Sequence, residues 1–183
     1  MKGLIHIYCG DGKGKTTASI GLLVRAVGSQ IPVVFAQFMK NDISSEISMI
    51  RNMPDTEVLH AKKHFGFYNR MTDETKEEAR KEYTETFIEA ANRAKEIALQ
   101  RQEKKEGLTL LILDEILSAY NYRLIKNEML LEFLKNKPDN LEIVLTGRDP
   151  KEELIEQADY VSEIQKVKHP FDNGIAARKG IEK

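Results

Sequence analysis

Apolar runs of strand length recur along the chain: GLIHIYC, PVVFAQF, TEVLH, LTLLILD, LEIVLTG and ADYVSEIQKV. Between most of them the apolar positions change to helical spacing. Several runs are apolar on both faces, which predicts buried strands. Strands of that kind alternating with helices predict a parallel sheet covered by helices on both sides. One helix is expected from Thr16 to Val27, stopped by Gly28. A long one is expected from Asp73 to Glu106, with Ala79, Tyr83, Phe87, Ala90, Ala94 and Ile97 on one stripe and Gly107 at its end. In TGRDPKEELIEQA, Asp149 is placed as an N-cap, Pro150 as the first helical residue and Glu152 as the partner of a capping box. Residues 60–71, HAKKHFGFYNRM, read as a long loop, and such loops in compact domains are often functional.

Composition narrows this picture without redirecting it. A chain of 183 residues can bury a core without disulfides or structural metal. No repeat, low-complexity tract or linker divides it, so one domain over residues 1–183 is expected. The 28 basic and 29 acidic side chains leave a net charge of −1, which gives no support to broad nucleic-acid or acidic-membrane binding. A single cysteine excludes an internal disulfide framework and suits a reducing compartment. The first apolar run is too short for a signal-peptide core and no stretch could span a membrane, so a cytoplasmic location is expected.

The chemistry concentrates in IYCGDGKGKTTAS, where a strand runs into a glycine-rich turn and the turn opens a helix. That is the context a phosphate-binding loop requires. Gly10, Gly12 and Gly14 let successive backbone N–H groups turn inward on phosphate oxygens, and the helix aims its positive end at the same anion. Lys15 adds a point charge, and the Thr16 hydroxyl can join the shell of a Mg²⁺ ion. Asp11, Lys13 and Thr17 belong to the same loop and are grouped with its phosphate-binding residues. The usual pattern has a further glycine where Cys9 stands. Asp114 and Glu115 follow the buried run LTLLIL, where a neighbouring strand would present metal-side carboxylates. The tetrapeptide NKPD, residues 136–139, matches a guanine-specificity motif but precedes a strand instead of following one, and reads as a turn. Cys9 reads as a packing residue, and His60 with His64 are set aside as a metal pair because they fall in a strand end and a loop.

Five stretches then resemble one family in its order: GDGKGKTTASIGLLVRAVG, QFMK, LLILDE, VLTGRDP and VKHPFDNGIAARKGIE. They are similar to the ATP:corrinoid adenosyltransferases of the CobA/CobO/BtuR type, and RAVG and the closing KHPFDNGI…GIE are more specific than the phosphate loop. The resemblance implies an α/β fold, a P-loop NTPase-like (RecA-like) three-layer sandwich with a mostly parallel sheet flanked by helices, working as a homodimer. It implies transfer of the 5′-deoxyadenosyl group of ATP to the Co(I) centre of a reduced corrinoid, with release of tripolyphosphate. Co(I) is itself the nucleophile, so no catalytic base is needed. A flavin-type reductase would supply the electron.

On this reading Gly10–Gly14, Lys15, Thr16, Thr17 and Mg²⁺ neutralise the leaving triphosphate. Glu115, with Asp114, holds the metal. Arg25 matches an arginine on the family's loop helix, and Arg148 sits at a strand end where α/β sheets present ligand contacts. Phe65, Phe67 and Tyr68 are the candidates for an apolar wall over the corrinoid, in a region where family members carry a tryptophan and this chain has none. Such a wall excludes axial donors and favours four-coordinate Co(II), which is easier to reduce. No histidine has an aspartate two residues before it, so no imidazole ligand to cobalt is expected. Some members carry a segment ahead of the first strand that can cover the corrinoid. Here the strand starts almost at Met1, so the site is expected to be more open or closed by another element. The competing readings are a RecA-like ATPase, in which Glu115 activates water, and a carrier that binds nucleotide and corrinoid without chemistry.

Overall fold

A computed structural model describes residues 1–40 and 45–181. The last residue of the closing motif, Glu182, lies outside them. Six strands, β1 (Ile5–Cys9), β2 (Val33–Gln37), β3 (Thr56–His60), β4 (Thr109–Asp114), β5 (Leu141–Thr146) and β6 (Tyr160–Glu163), form one sheet in the order β3-β2-β4-β5-β1-β6. Every neighbouring pair is parallel. The helices are α1 (Lys15–Gly28), α2 (Ser45–Ile50), α3 (Asp73–Lys104), α4 (Ile116–Asn121), α5 (Asn127–Lys135) and α6 (Glu152–Ile155). Burial follows position in the sheet. All residues of the inner strands β2 and β4 are buried, those of the edge strand β3 are half-buried, and those of the opposite edge, β6, are exposed.

The two-residue period of the strands sorts side chains onto two faces. Ile7, Val34, Leu111, Leu113, Ile143 and Leu145 meet the α3 stripe of Ala79, Tyr83, Phe87, Ala90, Ala94 and Ala98. On the other face Val33, Phe35, Leu110, Ile112 and Val144 pack against Leu23 and Ala26 of α1 and Ile47 and Ile50 of α2. This is the expected three-layer α/β sandwich. The alanines of α3 keep it close to the sheet, while Tyr83 and Phe87 fill the space toward Phe38 and Phe133 through edge-to-face ring contacts.

Three helix ends differ from expectation. The first helix runs on through Gly28 and is capped at Ser29, whose N–H bonds to the Arg25 and Ala26 carbonyls; the left-handed turn falls at Gln30. The third ends one turn after Arg101 with Lys105 in the left-handed region, two residues before Gly107. Its start is capped by Thr72, whose hydroxyl accepts from the Thr75 N–H. The sixth helix begins after Lys151, not after Asp149, and no side chain caps it. Asn121 explains that shift: its amide donates to the carbonyls of both Arg148 and Asp149 at 3.0 Å, tying this stretch to α4. The NKPD turn joins α5 to β5 beside Gly3, at the end of the sheet opposite the glycine-rich loop. Among the described residues no helix is long and apolar enough to cross a membrane.

Truncating the α3 core ring should test this layering. Phe87→Ala should lower unfolding free energy by about 3–5 kcal/mol in urea denaturation. Phe67→Ala, which removes a ring that is 76% exposed, should change it by less than about 0.5 kcal/mol.

Candidate active site

The glycine-rich loop sits at the carboxyl ends of the strands, between β1 and α1, held from below by β6. The Gly12 N–H donates to the Ile164 carbonyl at 2.7 Å, and Ile164 N–H to the Cys9 carbonyl at 2.8 Å. Gly10 has φ of 107°, and a Cβ there would stand 2.4 Å from the Ile164 oxygen, so only glycine fits. Gly14, at φ 124°, turns the chain into the helix. Cys9 needs no such freedom. It is the last residue of β1, paired with Glu163 of β6, and its backbone lacks the positive φ of its neighbour. Its thiol is buried against the Ser162 carbonyl, and burial pushes the thiol pKa up. A packing residue is what the position requires.

Lys15 is buried, and its ammonium donates to the Gly12 carbonyl at 2.9 Å. Burial pulls its pKa below the ordinary lysine value, with the Glu115 carboxylate opposing the shift. The Asp11 carboxylate accepts the Lys166 N–H at 2.9 Å, which holds it below the usual carboxylate range. Asp11 thus ties the loop to the chain after β6.

Asp114 lies beneath the loop with a side chain that is 0% exposed. One oxygen accepts from the Thr16 hydroxyl at 2.8 Å and the Thr146 hydroxyl at 2.7 Å; the other accepts from the Gln37 amide at 3.0 Å and the Lys40 ammonium at 2.9 Å. Strand parity explains the meeting. Gln37, Asp114 and Thr146 end three adjacent strands and follow the apolar residues that face α1. Glu115 breaks from the strand with φ of 60° and lines the cleft, its backbone N–H on Thr146 and its carboxylate on the Ser118 hydroxyl.

The loop opens into a cleft of about 1120 Å³. Asp11, Gly12, Lys13, Gly14, Lys15, Thr16, Thr17, Glu115 and Arg148 line its polar side. Phe67, Phe171, Ile175 and Ile181 line another part, each more than half exposed. The three candidate aromatics separate here. Phe65 packs edge-on against Tyr83 and Tyr68 stacks on Tyr122 at 4.3 Å, while Phe67 alone faces the cleft. Arg25 is not brought to the site. It is exposed in the last turn of α1, ten residues and about 15 Å of helical rise beyond Lys15. Asp114 does not line the cleft either; it acts on it through Thr16. Lys40, Gln37 and Thr146 carried a signal that could have been read, polar residues at or just past the ends of buried strands. The contribution of residues 169–181 to the wall had no such signal.

The sequence model of one family, described as ATP:corrinoid adenosyltransferase BtuR/CobO/CobP, matches residues 1–182. The chain belongs to that family. A corrinoid adenosyltransferase from Sinorhizobium sp is 37% identical over 189 residues, covering 99% of this chain and 80% of the relative. Those of Pseudomonas aeruginosa and Escherichia coli (strain K12) are 31% and 30% identical, again over 99% of this chain and over 84% and 86% of theirs. A solved structure, EssC (ATPases 2 and 3) from Geobacillus thermodenitrificans, superposes with a TM-score of 0.53 at 14% identity, over 97% of this chain and 35% of that one. That likeness speaks for the P-loop NTPase fold alone. This corrinoid adenosyltransferase is therefore a nucleotide-binding transferase whose substrates are ATP and a corrinoid.

The buried carboxylate under the loop is the most exposed point of failure in the adenosyltransferase site. Asp114→Ala strips four donors of their acceptor and should destabilise the protein by about 3–5 kcal/mol. Chemical denaturation measures this, and a loss below about 1 kcal/mol would show that the network does not hold the loop.

Proposed function

We propose that this adenosyltransferase binds the triphosphate of ATP on the loop and the corrinoid against the apolar wall of the same cleft, and releases tripolyphosphate. The observation that carries the reading is that one cleft joins an anion-binding loop to four exposed apolar side chains. A triphosphate and a large, mostly apolar ring system need those two surfaces side by side. The reaction forms a cobalt–carbon bond: the electron pair of Co(I) attacks the 5′ carbon of the ribose, and the bond from that carbon to the α-phosphate oxygen breaks. Charge then builds on the leaving chain of three phosphates. The loop amides between Gly10 and Gly14 other than that of Gly12, whose N–H goes to the Ile164 carbonyl, would neutralise it together with the Lys15 ammonium, Lys13, Thr16, Thr17 and Arg148. Arg25 is left out of this set because of its distance along α1.

The residues present fit a hard divalent cation. Thr16 offers a hydroxyl and Asp114 and Glu115 offer carboxylates, all oxygen donors. Mg²⁺ is an ion that keeps waters and takes phosphate oxygens, so it asks for few protein ligands. When bound, Mg²⁺ would supply further charge neutralisation to the triphosphate. Phe67, with Phe171 and Ile175, forms the wall proposed to exclude axial donors from cobalt. From the family resemblance come three further parts of the proposal: a homodimeric working form, a cytoplasmic setting and an external flavin-type reductase.

Incubation with Mg-ATP and a chemically reduced corrinoid under anaerobic conditions should yield the cobalt–carbon chromophore and tripolyphosphate in equal amounts. ADP and phosphate as the products would overturn the reading. Lys15→Ala should lower kcat/KM for transfer by at least about 100-fold. Phe67→Ala should slow transfer from a Co(II) substrate with reductase by roughly tenfold while changing transfer from pre-reduced Co(I) little. Equal effects on both routes would remove the wall from the proposal.

A further inference from the structure

The two oxygens beneath the loop that a metal would need are already taken. The Lys40 ammonium stands 2.8 Å from the Thr16 hydroxyl oxygen and 2.9 Å from an Asp114 carboxylate oxygen. It bridges the two groups that the proposed Mg²⁺ site relies on. Lys40 is delivered there by a strained piece of backbone. The Phe38 N–H is held by the Asp114 carbonyl at 2.9 Å, and Met39, a non-glycine residue, takes φ of 59° before the chain reaches Lys40. The ammonium is not locked in the core. Its side chain is 31% exposed, and Lys40 lines the same cleft as Lys15, Thr16 and Glu115. A carboxylate with no solvent exposure requires a compensating charge or a full set of donors. Three of the four donors to Asp114 are neutral, so Lys40 supplies the only formal charge in direct contact with it among the described residues.

We propose that Lys40 is the counter-cation of the Thr16–Asp114 pair, in competition with a divalent metal. It occupies the Thr16–Asp114 bridge in the nucleotide-free enzyme, is displaced when metal and nucleotide arrive, and so keeps free divalent cations out until ATP brings them. The charge arithmetic supports the exchange. An ammonium gives one positive charge to the bridge, and a dication accompanied by a triphosphate replaces it without leaving two cations side by side uncompensated. A free dication has no such partner and must compete with a tethered ammonium already hydrogen-bonded to both oxygens. The displaced ammonium remains in the cleft, within reach of the incoming phosphates. The inference rests on the metal reading above and adds to it an order of events.

The test measures Mn²⁺, a paramagnetic stand-in for Mg²⁺, by the electron paramagnetic resonance signal of the unbound ion, with and without ATP. With the Mn²⁺–ATP complex measured without protein and subtracted, wild type should bind Mn²⁺ weakly alone and at least about tenfold more tightly with ATP. Lys40→Met should bind Mn²⁺ without ATP at least about tenfold more tightly than wild type, because the carboxylate is freed of its ammonium. Lys40→Gln, a polar replacement that can still donate to Asp114, serves as the second removal of charge and should show the same gain. Lys40→Arg, which keeps the charge, should remain near wild type. If wild type binds Mn²⁺ with ATP but neither Lys40→Met nor Lys40→Gln gains affinity without it, the counter-cation proposal falls and the metal reading stands. If wild type fails to bind Mn²⁺ even with ATP, both fall together.

Discussion

A carboxylate with no access to water organises this protein. Asp114 ends the central strand of a parallel sheet, and each of its oxygens is held by two donors from different elements: the first residues of α1, the ends of β2 and β5, and the turn after β2. Removing an ionised group from water is expensive unless donors surround it, so these elements are bound to one arrangement. The glycine-rich loop therefore rests on the sheet through a polar knot, while the layers on either side are joined mainly by apolar packing, with Arg93 on Glu57 and Asn140 on the Ala98 carbonyl as polar ties to α3. Position in the sheet makes this possible, since the carboxyl ends of parallel strands are where an α/β sandwich opens to ligands.

From that knot a short helix carries the geometry outward. Glu115 leaves β4 in a left-handed conformation and opens α4, where Ser118 holds its carboxylate. At the other end of the helix Asn121 fastens the backbone that presents Arg148, and Tyr122 stacks on Tyr68 in the loop after β3. One turn and a half of helix thus links the phosphate side of the cleft to the loop that carries Phe67. Along this path Glu115, Arg123 and Asp149 are non-glycine residues at positive φ, as is Met39 beside Lys40. Such backbones persist only where surrounding contacts over-determine them; Glu115 lines the cleft, and Met39 and Asp149 adjoin the cleft residues Lys40 and Arg148.

The cleft combines two surfaces that seldom adjoin on a monomer, a ring of cationic and amide donors and a set of exposed apolar side chains. Exposed rings such as Phe67 and Phe171 contribute little to folding and are retained in the open, as expected for a surface meant to meet an apolar partner. The family's substrate class, a corrinoid, is the partner proposed for this surface.

Much of this was legible in the residues themselves. Apolar runs located five of six strands closely, most directly β2 and β4, which are buried on both faces and carry few polar positions to blur them; β6, exposed and at the edge, was predicted longer than it is. The alanine stripe and its aromatic pair marked the buried face of α3, and the order strand, three glycines, Lys15, Thr16, helix marked the anion site, since phosphate binding by backbone amides leaves a local signature. Helix ends at Ser29, Lys105 and Lys151 were not legible, because each is decided by a contact with a distant segment or by a left-handed residue other than glycine. For the same reason only the tertiary structure could separate Phe67 from Phe65 and Tyr68, set Arg25 apart from the loop it follows, or place Lys40 on Asp114. Sequence determines what a segment can do with its neighbours in the chain. Which side chain faces the cleft, and which cation meets the buried carboxylate, depends on strand order and parity across residues more than 70 positions apart.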